Sequence, residues 1–493
     1  MTQRPDAARF DRRRLAALAG STLAGNVLAG SKLDGASVHA RVEGGPTRPP
    51  RARRLVWLMQ NGGPSHVDLF DPKPELAKRA GEDLPDSVRA GQRLTTMTSG
   101  QKRLPLLAAH RPFVRCGESG IELSVLLPFT GRIADRICLV RGMHTDAINH
   151  APAVTELLTG HQIPGRPSLG AWLAYALGSD NADLPGFVVL TSRDRENSCG
   201  QLLYDHYWGS GFLPSHLQGV KLHGQGDPVP FLSNPAGIDA SARRDLLADL
   251  RVLNELTAVR TGDPETRART AQYELAHRMQ ASVPELVDLS DEPTHVLAMY
   301  GPDVRRRGSF AQNCLLARRL LERGVRYVQL MHAGWDQHNN LPTQLAIQCL
   351  DTDQPSAALV LDLAQRGLLD DTLVVWGGEF GRTPFCQGDP KAKRYGRDHH
   401  GNAFSVWLAG GGVRGGHVFG SSDPFGYNLV DRNGDVIRPT KQDPHQDAVH
   451  VHDLQATILH LLGIDHEHLT FLHQGRRFRL TDVFGRVVHG LLA

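Results

Sequence analysis

Five separate segments of this sequence carry acidic side chains, and four of them also carry imidazoles. The segments read QNGGPSHVDLFDPKP, HTDAINH, HAGWDQHNN, GGEFGRTP and GRDHHGN, and their candidate functional residues are Asp68, His150, Asp336, His338, Glu379, Arg382, His399 and His400. Carboxylates and imidazoles without thiolates suit zinc, manganese, iron, magnesium or calcium ions. One such ion would polarise an ester oxygen and acidify a bound water, and two would clamp the attacking and leaving oxygens. The residues therefore predict a site for one or two divalent cations.

Predicted strands place these segments at one edge of a sheet. Short apolar runs predict six strands, RRLVWLM, DRICLVRGM, PGFVVLTS, VRYVQLMHAG, DTLVVWGG and AFSVWLAGG, and stretches of helical period such as SFAQNCLLARRLLERG lie between them. This alternation predicts an α/β fold with a doubly wound, mostly parallel sheet and helices on both faces. Ligands of such sheets bind beyond the carboxyl ends of the strands. We therefore expect the five segments to converge.

Between about residues 240 and 300 the sequence changes from alternating apolar and helical stretches to charged amphipathic ones. Two charged amphipathic stretches, SARRDLLADLRVLNELTAVR and TRARTAQYELAHRMQASVPELVDL, follow each other there without an intervening strand. Their period predicts helices with solvated, Arg-rich outer faces. We interpret them as a helical insertion that covers one side of the sheet of a single domain spanning residues 41–493.

The first forty residues predict an export signal. Arg12 and Arg13 precede a weakly apolar run rich in Ala, Gly and Leu, and SVHA offers small residues before a cut after Ala40. This pattern resembles a twin-arginine signal; a disordered basic tail is the other interpretation. The run is too short and glycine-rich for a membrane span, and no later segment approaches twenty apolar residues. We expect a soluble or peripheral protein in the periplasm or outside the cell.

Composition narrows the classes of partner. The 493 residues carry a formal net charge of +3, and the basic residues are spread among acidic ones, so a nucleic-acid partner is not indicated. The six cysteines are far apart and form no CxxC pair, which argues against a disulfide scaffold or a thiolate zinc site. The 24 histidines offer neutral nitrogen ligands and proton carriers. The oligomeric state does not follow from the sequence.

Several motifs together resemble a known family. LVWLMQNGGPSHVDLFDPKP, GWDQHNN, VVWGGEFGRTP, GRDHHGNAFSVWLAGGGVRGG and VHDLQATILHLLGID through RLTDVFG are similar to a large family of exported bacterial proteins catalogued as domain of unknown function 1501. The resemblance covers nearly the whole chain after residue 40. That family in turn resembles the alkaline phosphatase and sulfatase superfamily, which implies a doubly wound sheet with a bimetal or calcium site at the strand ends.

The resemblance singles out the stretch HAPAVTELLTG, residues 150–160. In sulfatases the nucleophile begins such a stretch, a proline follows two residues later, and Leu-Thr-Gly closes it. His150 occupies the nucleophile's place here, and Val154 replaces the usual arginine. Histidine can neither become formylglycine nor attack as a serine or threonine would, so ordinary sulfatase chemistry is not carried over.

Other positions also depart from the superfamily pattern. The first strand ends on Asn61 where a metal-binding aspartate is usual, with Asp68 displaced downstream, and Phe380 follows Glu379 where a histidine is usual. In agreement with the pattern, Asp336 with His338 resembles the Asp and His pair of one metal position. Either His399 or His400 resembles the late single histidine.

Three interpretations of His150 stay open. It ligates a metal at the start of its helix, it transfers protons or accepts a phosphoryl group as nucleophile, or it caps the structure around an inactive site. We favour the ligand or proton-transfer role, with the helix N-terminus free to hold an anionic group. Ser65 is a fallback nucleophile, although a serine in a turn is more often a cap.

The leading functional hypothesis is an exported metal-dependent hydrolase of a sulfate or phosphate ester, either a small molecule or a polysaccharide. Metal-activated water would replace the missing nucleophile, His150 would be catalytic, and Arg382 would bind the anionic group. The ion would be zinc, calcium, magnesium or manganese, with ligands drawn from Asp68, Asp336, His338, Glu379, His399 and His400. The alternative is an inactive relative that binds an anionic glycan or an exported protein partner. A metal-dependent lyase or isomerase is a third possibility that nothing singles out.

Overall fold

The computed structural model describes residues 45–196, 201–224, 227–229, 234, 237–392 and 394–493. The predicted export signal at residues 1–40 lies outside these ranges. The fold belongs to the unit Val42–Ala493.

The strands and helices are numbered along the chain. The strands are β1 Arg54–Asn61, β2 Phe113–Cys116, β3 Ile121–Ser124, β4 Ile137–His144, β5 Phe187–Arg193, β6 Val220–Leu222, β7 Tyr327–Ala333, β8 Thr372–Gly377, β9 Gly381–Gln387, β10 Gly396–His400, β11 Phe404–Ala409, β12 His417–Phe419, β13 Ser421–Ser422, β14 Leu429–Val430, β15 Val436–Ile437, β16 Val449–His450, β17 Phe471–His473 and β18 Arg476–Phe478. The helices are α1 His66–Leu69, α2 Pro74–Lys78, α3 Asp86–Arg89, α4 His150–Thr159, α5 Leu169–Leu177, α6 Ala240–Thr261, α7 Pro264–Val287, α8 Thr294–Tyr300, α9 Phe310–Glu322, α10 Leu341–Gln365 and α11 Val451–Leu461. Short 3-10 helices lie at Thr130–Arg136, Asp205–Tyr207, Ser215–Leu217, Pro302–Arg305, Leu369–Asp371 and His489–Leu491.

A nine-stranded sheet forms the centre of the fold. Its order is β12-β4-β11-β8-β1-β7-β5-β6, and β16 adds to β4. The pairs β8 with β1, β1 with β7, β7 with β5 and β5 with β6 are parallel, whereas β11 runs antiparallel to both β4 and β8. All six strands predicted from the sequence lie in this sheet, which confirms the mostly parallel α/β fold.

Both faces of the sheet are covered, as the apolar runs predict. Along β1, Val56 and Leu58 face one core together with α9 and α10. Leu55, Trp57 and Met59 face the other core together with α4, α5 and α11. A strand buried on both faces is mostly apolar, which explains why these runs do not alternate with polar residues. The helices on the two faces confirm the doubly wound arrangement.

The stretch predicted to be a helical insertion forms two long helices. The helices α6 and α7 pack against each other, and most side chains of α6 are exposed. The boundary predicted at residues 40 and 41 stays a prediction. None of the helices that the structure describes is both long and apolar enough to cross a membrane. The five cysteines among the described residues are free thiols.

The direction of the strands decides where the site can form. The strands β4, β8, β1 and β7 end at the same edge of the sheet, because β4 and β8 are both antiparallel to the strand between them. The antiparallel β11 begins at that edge, and the hairpin of β9 and β10 leads into it. Loops from five strands therefore meet there.

Candidate metal centre

Four of the predicted site residues come together at this edge. Asp336 and His338 follow the end of β7, His150 is the first residue of α4, and His399 lies in β10. Each offers one ligand atom, and these four atoms all lie within 4.8 Å of one another. The side chains of His150, Asp336 and His338 are partly exposed, so solvent reaches the group. We call these four residues, a candidate site for a divalent cation, the metal centre.

The three imidazoles of the metal centre are oriented in the same way. Each places Nδ1 against an oxygen acceptor, which holds the ring proton on Nδ1 and leaves the lone pair on Nε2. The acceptors are Glu379 Oε1 for His150 at 2.6 Å, Gln387 Oε1 for His338 at 2.6 Å, and the Ile148 carbonyl for His399 at 2.8 Å. Metal-binding histidines are held in this way by a hydrogen bond to the second ring nitrogen.

The three Nε2 atoms converge on one carboxylate oxygen. Asp336 Oδ1 lies 3.1 Å from His150 Nε2, 2.9 Å from His338 Nε2 and 3.3 Å from His399 Nε2. The Nε2 atoms of His338 and His399 are themselves 2.9 Å apart. Lone pairs facing one another and a carboxylate oxygen repel unless protons or a cation lie between them. One carboxylate and three imidazoles fit a divalent cation such as zinc or manganese.

The close packing of charged and titratable side chains shifts the pKa values of Asp336 and His399. Burial acts to raise the pKa of Asp336, but the charge of Arg382 and the contacts with the three imidazoles outweigh it and hold that pKa far below its ordinary range. Burial, with the nearby charge of Arg382, lowers the pKa of His399 to about 4 against the opposing contact with Asp336. Asp336 is thus ionised, and His399 is neutral, near pH 7.

The pKa of His150 is shifted in the opposite direction to that of His399. Burial acts to lower its pKa, yet the contacts with Asp336 and Glu379 outweigh burial and raise it. Its Nε2 atom makes no hydrogen bond of good geometry with any residue that the structure describes. This nitrogen is therefore placed to accept either a cation or a proton.

Two buried residues, Glu379 and Gly62, hold residues of the metal centre in place. Glu379 accepts a hydrogen bond from His150 Nδ1. It also accepts the backbone N–H of Gly62, whose nitrogen lies 3.0 Å from Oε1 and 3.2 Å from Oε2. Gly62 has φ +119°, and a Cβ there would lie 2.4 Å from the backbone nitrogen of Asp336. Only glycine lets the loop after β1 approach this closely.

Comparison with known proteins places the chain in a family. A family described as "Protein of unknown function (DUF1501)" matches residues 52–492. The chain belongs to this family. No curated protein matches it.

Among solved structures, several hydrolases and transferases share a loose overall likeness with this DUF1501 protein. They include the PsFucS1 sulfatase from Pseudoalteromonas sp. (12% identity, 90% of this chain and 72% of that chain, TM-score 0.36), the C-terminal periplasmic domain of EcEptC from Escherichia coli (9%, 86% and 87%, 0.32) and the lipoteichoic acid synthase LtaP from Listeria monocytogenes (10%, 84% and 73%, 0.32).

Arg382 connects the loops around the metal centre. Its guanidinium is buried and donates to Asp336 Oδ1 at 2.8 Å and to the carbonyls of Gly63, Arg397, Trp335 and Gly62. Nε, Nη1 and Nη2 are therefore all engaged within the protein. This geometry holds Asp336 in place; the predicted contact of Arg382 with an anionic group stays a prediction.

The structure does not bring Asp68 or His400 into the metal centre. Asp68 is buried in an ion pair with Arg397, with Nε and Oδ2 2.7 Å apart, and it also accepts the Ser65 hydroxyl at 2.5 Å. His400 Nε2 lies 2.6 Å from the carbonyl oxygen of Tyr427. Adjacent residues of a strand point to opposite sides, so only one of His399 and His400 can reach Asp336.

One supporting residue escaped the sequence analysis. Gln387, the last residue of β9, orients His338 from a position 49 residues later in the chain. No local pattern marks a glutamine at a strand end as a partner of a metal ligand. The glycine pair after β1, in contrast, is a signal for close backbone approach that the sequence does carry.

Proposed function

We propose that this DUF1501 protein is an exported metal-dependent hydrolase of sulfate or phosphate esters, of small molecules or of polysaccharides. The convergence of three imidazole lone pairs on Asp336 Oδ1 supports the metal dependence. The class of ester comes from the resemblance of residues 150–160 to the nucleophile stretch of sulfatases. Export comes from the twin-arginine pattern around Arg12 and Arg13.

The proposed ligands of one divalent cation are Asp336, His338, His399 and His150. When bound, the cation supplies a Lewis acid that polarises the ester oxygen and acidifies a water molecule. Imidazole-rich sets favour zinc, and manganese is the next candidate. We do not include Asp68, Glu379 or His400 among the ligands, because each is engaged in the contacts described above.

The chain's own residues then have separate tasks. Glu379, Gln387 and the Ile148 carbonyl hold the imidazoles so that Nε2 faces inward. Arg382 holds Asp336. The cap residue Asn149 makes no side-chain hydrogen bond to α4, so it leaves the N–H groups of His150 and Ala151 available to sulfate or phosphate oxygens; Pro152 has no N–H. Because position 150 lacks a hydroxyl or thiol, we propose that water attacks the ester.

Elemental analysis combined with an ester panel tests the proposal. We expect purified protein to contain about one zinc or manganese per chain at this centre, and to hydrolyse an aryl sulfate, phosphomonoester or phosphodiester until a chelator removes the metal. His399→Gln should lose this metal and the hydrolysis together. His400→Gln, the adjacent residue outside the centre, is the matched control and should retain both.

The variant His150→Gln separates the two roles of that residue. Loss of the metal identifies His150 as a ligand, whereas a slow enzyme that retains the metal identifies it as a proton carrier.

A binding protein without catalysis is the second candidate. The engaged donors of Arg382 and the histidine at the nucleophile's place favour it over an ordinary sulfatase. Tight binding of an anionic glycan or an exported protein, without turnover and unaffected by chelation, would overturn the hydrolase proposal and support this one.

A further inference from the structure

A second group of potential ligands lies at the other end of α4. Glu156 is on that helix, and His450 and His452 surround the start of α11. One ligand atom from each lies within 4.8 Å of the others, and all three side chains are buried. Glu156 follows His150 by six residues, a rise of roughly 9 Å along the helix. This group is therefore separate from the metal centre.

The hydrogen bonds of His452 assign its tautomer. Its Nε2 lies 3.0 Å from the carbonyl oxygen of Gly160, which can only accept. The proton of the neutral ring is therefore on Nε2, and Nδ1 carries the lone pair.

Each neutral tautomer of His450 leaves one unfavourable contact. Its Nδ1 lies 3.0 Å from His452 Nδ1 and 3.2 Å from the backbone nitrogen of His452. With the lone pair on Nδ1, the ring accepts the backbone N–H of His452, but its lone pair also faces that of His452 Nδ1 at 3.0 Å. With the proton on Nδ1, two N–H groups face each other, and the bare Nε2 faces Asp146 Oδ1 at 3.6 Å. Nε2 makes no hydrogen bond to any described residue.

We propose that a divalent cation of the zinc type binds between Nδ1 of His450, Nδ1 of His452 and the carboxylate of Glu156. A separation of 3.0 Å suits two nitrogens that each lie about 2.0–2.1 Å from one ion. The cation removes the conflict between the lone pairs, and it leaves the His450 Nε2 proton directed towards Asp146. The ion would replace the backbone N–H of His452 as the partner of His450 Nδ1.

The charges around this second group favour a cation. Lys441 Nζ pairs with Asp146 at 2.9 Å and lies farther, 3.7 Å, from Glu156 Oε1. Thr145 and Gln162 donate to Glu156 Oε2 at 3.3 and 3.2 Å, so these two bonds leave Oε1 for the ion. Because Lys441 lies nearer to Asp146, the buried Glu156 carboxyl has, among the described residues, only this more distant lysine as a counter-charge, and a divalent cation would stabilise its ionised form.

The position of the ion gives it a structural role. It would join α4 to the start of α11, two elements that lie about 300 residues apart in the sequence. The first residue of α4 is His150, so this clamp also fixes the helix that carries one residue of the metal centre.

Zinc binding in a chain without the first centre tests the proposal. In His399→Gln protein we expect about one zinc per chain after dialysis, and a higher melting temperature with Zn²⁺ than with a chelator. Adding His452→Gln should abolish both effects. Adding His466→Gln instead, which removes a buried imidazole bonded to Thr481 at 3.0 Å, should change neither.

The outcomes also separate this site from the proposed function. If His399→Gln protein binds no zinc, or if His452→Gln leaves its zinc content unchanged, the second site is refuted. If wild type and His399→Gln bind the same single zinc, which His452→Gln removes, the second site holds and the first centre fails. Should the double variant not fold, zinc X-ray absorption of His399→Gln protein replaces it: two imidazole nitrogens support the site, and oxygen ligands alone refute it.

Discussion

At the scale of single residues, the hydrogen-bond partner of one ring nitrogen of an imidazole determines what the other ring nitrogen can bind. A histidine whose Nδ1 proton is held by an oxygen presents a lone pair on Nε2, and three such rings surround Asp336 Oδ1. The same logic, with the ring nitrogens exchanged, assigns the lone pair of His452. Acceptors outside a site thus define its ligands.

Glu379 offers a direct test of this point. Glu379→Gln keeps the size of the side chain but removes the charge that orients His150, so we expect the affinity of the metal centre for zinc to fall by about 10–100-fold. Competition with a coloured chelator measures this change. The exposed Glu82→Gln is the control, and equal zinc affinity in all three proteins would show that Glu379 does not orient a ligand.

Asp353, on α10, predicts a pH dependence of stability. It accepts hydrogen bonds from the backbone N–H groups of Phe129 and Thr130 at 2.8 Å, yet burial raises its pKa to about 6. Because the folded pKa exceeds the unfolded value of about 3.8, the stability that the carboxyl contributes is complete below about pH 4 and is lost as the pH rises through about 6.

Urea unfolding of wild type and Asp353→Asn at several pH values measures this effect. The free energy of unfolding of wild type minus that of the variant should fall by up to about 3 kcal/mol between about pH 4 and pH 7.5. Asp86→Asn, at an exposed carboxylate, controls for the change in net charge. A difference that is constant or rises with pH would contradict the raised pKa.

At the scale of elements, the loops after the strands position the metal centre by close backbone contact. Residues after β1, β7 and β8 touch through Gly62, Trp335 and Glu379. The hairpin of β9 and β10 adds His399 and Gln387 from the same edge. A displacement of one loop therefore moves ligands that belong to another.

Gly62→Ala tests this coupling. The added Cβ meets the backbone of Trp335 and Asp336, and alanine is strained at the positive φ of this position, so we expect a loss of about 2–5 kcal/mol in the free energy of unfolding and a loss of zinc. Gly434→Ala has a similar φ of +88° with nothing within 4 Å. This control should lose only about 1–2 kcal/mol and keep its zinc. Equal losses in both variants would mean that the loop contact is unimportant.

At the scale of the whole molecule, the predicted export signal agrees with the proposed metal sites. Twin-arginine signals export proteins that are already folded, often with a cofactor in place, and a domain with the proposed metal sites suits this route. The hypothesis applies to residues outside the described ranges and is testable independently of the fold.

Replacing Arg12 and Arg13 by lysine together should retain the chain in the cytoplasm, because the translocation route reads the paired arginines. Cell fractionation and the N-terminus of the exported form measure this; wild type should begin at Arg41. Arg4→Lys is the control. Unchanged export of the double variant would refute the twin-arginine assignment.

The sequence by itself determined the sheet and the edge at which chemistry could occur. A strand buried between two layers of helices is mostly apolar, so β1, β7 and β8 are visible as nearly continuous runs, and clusters of polar residues follow where these strands end. The direction of β11 was not visible, because its apolar run would suit either orientation. The glycine pair after β1 was also readable, since close backbone approach demands it.

Only the tertiary structure decided which candidates meet. His399 and His400 are equivalent in sequence, and the strand pleat alone sends one to Asp336 and the other to Tyr427. Arg397 forms an ion pair with Asp68, which lies 329 residues earlier in the chain. Glu156 lies near His452 only because α4 and α11 pack on the same face of the sheet. Side-chain direction and long-range packing depend on the register of distant segments, and no local pattern of residues encodes that register.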